Sequence, residues 1–199
     1  MSRFLESICI NKKIAENLPL HQARMNRTIR DHYGPNATTP NLREVIKANY
    51  LDPDVRYKCR ILYDREISQI EFHPYVAKSI DTLECVINNT IDYSYKLTDR
   101  KVLNNLKATS GADEIIIIKN GLITDSRYSN LAFLKDGSWY TPSTPLLKGT
   151  KRQKLIKEGM LHETLLKKED LNSFEKVKLV NAMLDWGKAP SIPIKNIKI

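Results

Sequence analysis

Apolar positions recur along this chain with two different periods, and the switches between them mark out its elements. "RFLESICI" reads as a strand, whereas "LPLHQARMNRTIRDHYG" places Leu20, Arg24, Met25 and Ile29 at helical spacing before Gly34, a natural helix stop. A loop rich in Pro, Asn and Thr leads to a second short helix, "NLREVIKANY". Period two then returns: "YKCRILYD" sets Cys59, Ile61 and Tyr63 on one face, and "SQIEFHPY" does the same with Ile70 and Phe72. The first part of the chain is thus expected to be strands with helices packed on one side. Residues 77 to 90 carry little pattern, and a domain boundary is expected there, giving domains 1–80 and 81–199.

The second half is richer in strand signals. "IDYSYKL" alternates and reads as a strand leading into "TDRKVLNNLKA", where Thr98 is placed to cap a helix with Val102, Leu103 and Leu106 on its apolar side. Four consecutive isoleucines, Ile115 to Ile118, run into Asn120-Gly121, which favours a tight primed turn, and the return strand carries Leu122 and Ile123. A second hairpin is expected around Asp136-Gly137 in "NLAFLKDGSWYTP", then a loop opening into a helix in "LLKGTKRQKLIKEGM", and a late strand in "KVKLVNAM". The mixture predicts an α+β sheet domain whose polar segments converge at one end.

Composition adds limits. The chain's 199 residues, 41% of them hydrophobic, can build a real core, and a formal charge of +9 suits anionic partners. The basic residues are dispersed and no nucleic-acid-binding motif accompanies them, so no nucleic acid is expected as a partner. Cys9, Cys59 and Cys85 lie far apart and are odd in number, which fits a reducing compartment rather than a disulfide framework. The start, "MSRFLESICINKK", lacks a signal-peptide core, and no apolar run approaches a membrane span; a cytoplasmic protein with no membrane partner is expected. His21, His32, His73 and His162 lack metal-ligand spacing, so they read as surface or capping residues and no metal is expected.

Candidate chemistry then comes from single positions. The segment "ITDSRYSN" gathers Asp125, Ser126, Ser129 and Asn130 where a buried sheet ends, a common place for binding groups. Gly149 stands before a predicted helix, where the amides of Thr150 and Lys151 and the Thr150 hydroxyl either cap a loop or face an anion such as phosphate. Lys96 is either a solvated lysine or, partly buried, a nucleophilic amine.

The segment "YKLTDR…GADEIIIIKNGLITDSRYSNLAFLKDGSWYTPSTPLLKGTKRQKLI" resembles the class IV aminotransferase family of pyridoxal-phosphate enzymes, which holds branched-chain and D-amino-acid aminotransferases and 4-amino-4-deoxychorismate lyase. Further matches are "FLESI" and "HQAR" near the start and "LVNAM" near the end. The resemblance implies fold type IV: a small N-terminal α/β domain, a larger C-terminal pseudo-barrel domain, pyridoxal 5'-phosphate between them, and a homodimer. By the same resemblance Lys96 matches the lysine that forms a Schiff base with the cofactor and shuttles protons. Arg24 matches an arginine that contacts the cofactor phosphate, Thr150 and Lys151 after Gly149 match the phosphate loop, and Asn130 matches the asparagine that closes the signature.

Asp125 falls where the family usually has a glutamate, whose carboxylate pairs with the pyridine nitrogen. A cationic ring withdraws electrons, so such a pair stabilises the carbanion left by proton removal. Lys151 stands where many relatives have threonine, and the chain is shorter than the usual aminotransferases. The activity implied is of the 4-amino-4-deoxychorismate lyase type, giving p-aminobenzoate and pyruvate from a small anionic amine. An amino-acid aminotransferase and a non-catalytic protein that keeps the fold are the alternatives.

Overall fold

A computed structural model describes residues 3–199. The chain forms two compact units: the first runs to Ala77 and takes in Tyr95–Asp99, and the second comprises Lys78–Ser94 and Arg100–Ile199. A single division at residue 80 misses this return, which carries Lys96.

The first unit is built on β1 (Phe4–Asn11), β2 (Ile14–Ala15), α1 (Leu18–Tyr33), the single-turn α2 (Leu42–Val45), β3 (Tyr57–Tyr63) and β4 (Ile67–Pro74). Its sheet runs β2-β1-β3-β4, every pair antiparallel. The register sets Phe4 opposite Tyr63, Glu6 opposite Ile61 and Ile8 opposite Cys59, so one face of β1 and β3 presents Phe4, Ile8, Ile10, Cys59, Ile61 and Tyr63 to the core. Because side chains alternate, Glu6 points to this apolar side as well. On α1 the buried set is His21, Arg24, Met25, Thr28 and Ile29, a continuous stripe at the 3,4 spacing. Gly34 ends the helix at φ 99°, a conformation in which glycine has no steric penalty.

The second unit contains β5 (Leu83–Ile87), α3 (Lys101–Ala108), β6 (Glu114–Lys119), β7 (Leu122–Ile123), β8 (Asn130–Lys135), β9 (Ser138–Pro142), α4 (Thr150–Lys157), β10 (His162–Thr164), β11 (Lys176–Val180), β12 (Ser191–Pro193) and β13 (Ile197–Lys198). One sheet has the order β13-β5-β6-β7 and the other β10-β9-β8-β11-β12. A shared core joins them, with Leu83, Ile116, Ile118 and Ile123 from the first sheet and Leu131, Phe133, Val177 and Ile192 from the second. Ile115 to Ile118 are all buried, so β6 is covered on both faces and cannot alternate. Both hairpin turns adopt positive φ at their central residues, Asn120-Gly121 and Asp136-Gly137.

Three local expectations differ from the structure. The patternless stretch 77 to 90 contains β5, a strand parallel to both β6 and β13. "IDYSYKL" forms no named strand; its backbone is tied to β1 by a Phe4–Leu97 bridge and the Leu5 N to Lys96 O bond of 3.0 Å. Its alternation reflects burial, with Ile91 and Tyr93 in the second unit's interior and Tyr95 and Leu97 packed on the first unit's core. Thr98 does not cap α3, whose N-cap is Arg100; instead Thr98 N and Oγ1 both donate to Arg3 O, at 2.8 and 3.1 Å. On α3 only Leu103 is buried, and Val102 is exposed.

Candidate active site

In the second unit, Asp125 is placed by backbone pairing that continues past β7: Thr124 N donates to Ile117 O and Ile117 N to Asp125 O, at 3.0 and 2.8 Å. The chain then turns, with Ser126 N donating to Ser129 O. This fixes the Asp125 carboxylate beneath the surface, 4% exposed. Asn130 Nδ2 donates to Asp125 Oδ1 at 2.7 Å, and Leu147 N donates to Oδ2 at 2.9 Å. Both donors are neutral, and among the described residues no cation pairs with this carboxylate. Burial therefore pushes its pKa up to about 7, and the bonds from Leu147 and Asn130 together with the charge of Arg152 only partly offset the rise. Beside it, Ser126 is buried and its Oγ has no hydrogen-bond partner among the described residues.

Asn130 also donates to Leu147 O at 2.8 Å, which ties the Asp125 segment to the loop that opens α4. Gly149 is the N-cap of α4 and brings no side chain to that end. Its φ of −66° and ψ of 140° suit any residue, so a tight or left-handed turn is not why glycine stands there. The reason is proximity: a Cβ at residue 149 would lie 2.0 Å from Asn130 Oδ1. Thr150 is buried at the first position of α4 and Lys151 is partly exposed behind it. A helix start without a side-chain cap presents amide donors and the positive end of the helix dipole, the arrangement that suits an anion.

Arg24 and Lys96 belong to the first unit. Arg24 Nε donates to Glu6 Oε1 at 2.8 Å and Nη2 to Oε2 at 2.5 Å, while His21 Nδ1 lies 2.7 Å from Oε2. Burial opposes ionisation of Glu6, yet the charge and hydrogen bonds of Arg24, with the hydrogen bond from His21, hold its pKa down at about 2. His21 is itself shifted down, first by burial, with Arg24 and Lys96 opposing protonation against the pull of Glu6. A neutral His21 facing an ionised carboxylate carries its proton on Nδ1 and donates it. Lys96 is half-buried, its backbone carbonyl fixed by Leu5 N.

Of the residues read from the sequence, the structure joins Asp125, Asn130 and Gly149 directly and starts α4 at Thr150. Arg24 lies in a buried ionic cluster whose other members, Glu6 and His21, sequence reasoning did not select. His21 is a fully buried member of that cluster, contrary to its reading as a surface residue. The available signals were a carboxylate inside the apolar run "FLESICI" and a His-Arg pair at i, i+3 on the apolar stripe of a helix. Arg152 was also missed. It is buried and donates to Thr141 Oγ1, Pro142 O and Glu163 Oε1, anchoring α4 to β9 and β10.

Comparison with known proteins places this geometry. Residues 4–192 match the family model for amino-transferase class IV. A Haemophilus influenzae protein of uncharacterized function is 41% identical over 185 residues, covering 92% of this chain and 98% of that protein. A crystal structure from Haemophilus somnus 129pt, provisionally named a 4-amino-4-deoxychorismate lyase, is 34% identical with a TM-score of 0.87, covering 92% of this chain and 97% of that one. A hypothetical aminotransferase from Mycobacterium tuberculosis in its pyridoxal-phosphate-bound form is 17% identical with a TM-score of 0.77, over 96% of this chain and 80% of that one, a likeness of fold.

Proposed function

Because the chain belongs to the class IV aminotransferase family and has its fold type IV architecture, we propose that it is a pyridoxal-phosphate enzyme of the 4-amino-4-deoxychorismate lyase type. The observation that carries the cofactor reading is Asp125, a buried carboxylate bonded by neutral donors and paired with no cation among the described residues. A carboxylate has about four lone-pair sites, and two are taken. Asp125 would meet a protonated pyridine nitrogen, which would supply the missing charge, and the buried Ser126 hydroxyl would offer a further polar contact. The lyase assignment draws on the likeness to the Haemophilus somnus protein over nearly its whole length.

In this reading Asp125, held by Asn130, would hold the ring nitrogen, the Thr150 and Lys151 amides at the start of α4 would take the phosphate, and Arg24 would be a further phosphate contact. Lys96 would supply the amine that holds the cofactor until the substrate amine displaces it. The cofactor, when bound, acts as an electron sink for the carbon next to the substrate nitrogen. Once displaced by the substrate amine, Lys96 Nζ would take the proton from that carbon and return it to the departing enolpyruvyl group, which would leave as pyruvate as the ring becomes aromatic. Arg152 keeps the start of α4 seated on the sheet and so holds the phosphate donors in place. The positive net charge suits a dicarboxylate substrate. A homodimer is part of the same proposal.

The test is turnover of aminodeoxychorismate by the cofactor-loaded protein without added keto acid. The expected result is release of pyruvate and p-aminobenzoate over many turnovers. Inertness on that compound, with conversion of an amino acid only when a keto-acid acceptor is present, replaces the lyase with an aminotransferase.

A further inference from the structure

We propose that Glu6 is a positioning residue for phosphate recognition, fixing the guanidinium of Arg24 in the plane from which it binds the cofactor phosphate. The inference rests on the reading in which Arg24 makes that contact. Glu6 lies on the core-facing side of β1, in line with Phe4, Ile8 and Ile10, and is fully buried. A carboxylate there is costly to desolvate, and a buried ion pair gains little over well-packed apolar residues of the same volume. Stability alone is thus a poor reason for an acid at this position, and its geometry supplies a better one.

Arg24 meets Glu6 side-on: Nε and Nη2, both on one edge of the fork, donate to the two carboxylate oxygens. Such a two-point pairing fixes the plane of the guanidinium as well as its distance, which a single contact cannot do. The carboxylate is held in turn by the Nδ1 proton of His21, one helical turn before Arg24 on the same stripe of α1. Strand and helix therefore grip the same acid, and the direction of the rest of the guanidinium is set before any ligand arrives. Preorganisation of this kind improves binding by removing the cost of ordering a long side chain.

Charge alone makes the opposite demand. Glu6 neutralises Arg24 and repels phosphate, so if it were only a counter-ion its removal should strengthen phosphate binding. The sign of the effect separates the two roles. Cofactor-free protein and its Glu6→Gln variant are titrated with pyridoxal 5'-phosphate and with pyridoxal, which lacks the phosphate, and the ratio of the two dissociation constants is read for each protein.

The expected result is that Glu6→Gln loses about tenfold of the preference for the phosphorylated ligand, on the scale of one weakened charged hydrogen bond, while pyridoxal affinity stays within about twofold. An unchanged or increased preference overturns the proposal, and so does equal weakening of both ligands, which marks a structural role. Should Glu6→Gln not fold, Glu6→Asp keeps the charge, withdraws it by one methylene and is read by the same outcomes. A wild-type protein that binds both ligands equally overturns the phosphate role of Arg24 itself, a result distinct from failure at Glu6.

Discussion

At Asp125 and Glu6, two buried acids respond to burial in opposite ways, and the difference is the presence of a cation. Glu6 has Arg24 and is held near 2; Asp125 has only amides and is raised to about 7. A folded pKa above the unfolded value of 3.8 means that the folded, cofactor-free protein holds a proton that the unfolded chain releases. That contribution to stability is complete below about pH 4 and is lost as pH rises through 7. It amounts to ~4 kcal/mol at most, at about 1.4 kcal/mol for each pH unit between the two values. Asp125→Asn, which cannot ionise, should therefore gain stability relative to wild type between pH 4.5 and pH 8 in urea unfolding of the cofactor-free proteins. A difference that does not change with pH would return Asp125 to an ordinary turn residue. For Glu6 the sense is reversed: its contribution is present above pH 4.5 and is lost as pH falls through 2. Asp125 was legible as a candidate because it sits in a recognisable signature. Glu6 and His21 were not, since their meaning depends on a strand and a helix meeting through side chains that the sequence places 15 residues apart.

Among the elements, the start of α4 shows how a loop and a strand end constrain one another. Asn130 donates both to Asp125 and to Leu147 O, and its oxygen occupies the space where a side chain at residue 149 would begin. Gly149→Ala thus acts through Asn130, not through backbone strain. It should displace the amide, weaken pyridoxal-phosphate binding by about tenfold or more, and destabilise the protein by roughly 1–3 kcal/mol, the range for overpacking a tight site. Thermal unfolding and a cofactor titration measure both; an unaltered affinity would separate α4 from the phosphate. The long, regular elements and both hairpins were legible because their apolar period or turn dipeptide is local. β5 was not, since its partners are β6 and the two-residue β13 from the far end of the chain, and partly covered faces blur its alternation. The 91–97 stretch misled for the complementary reason: alternation reports which side chains are buried, and burial does not require a ladder.

Across the whole molecule, the family was legible from signatures spread from "FLESI" to "LVNAM", and the family match at residues 4–192 spans the same stretch. Less legible was that the chain returns to its first unit for Tyr95–Asp99, a segment with no regular structure whose place is set by Arg3 and Leu5 of the N-terminal strand region. Lys96 rides on that return, half-buried and close enough for its charge to bear on His21. Everything proposed about chemistry depends on this amine being the one that bonds to the cofactor. The direct test is to load the protein with pyridoxal 5'-phosphate, reduce it with borohydride, digest it and map the modified peptide. The expected result is a single label on Lys96; a label on Lys101 or Lys107 instead, or none on any lysine, would contradict it.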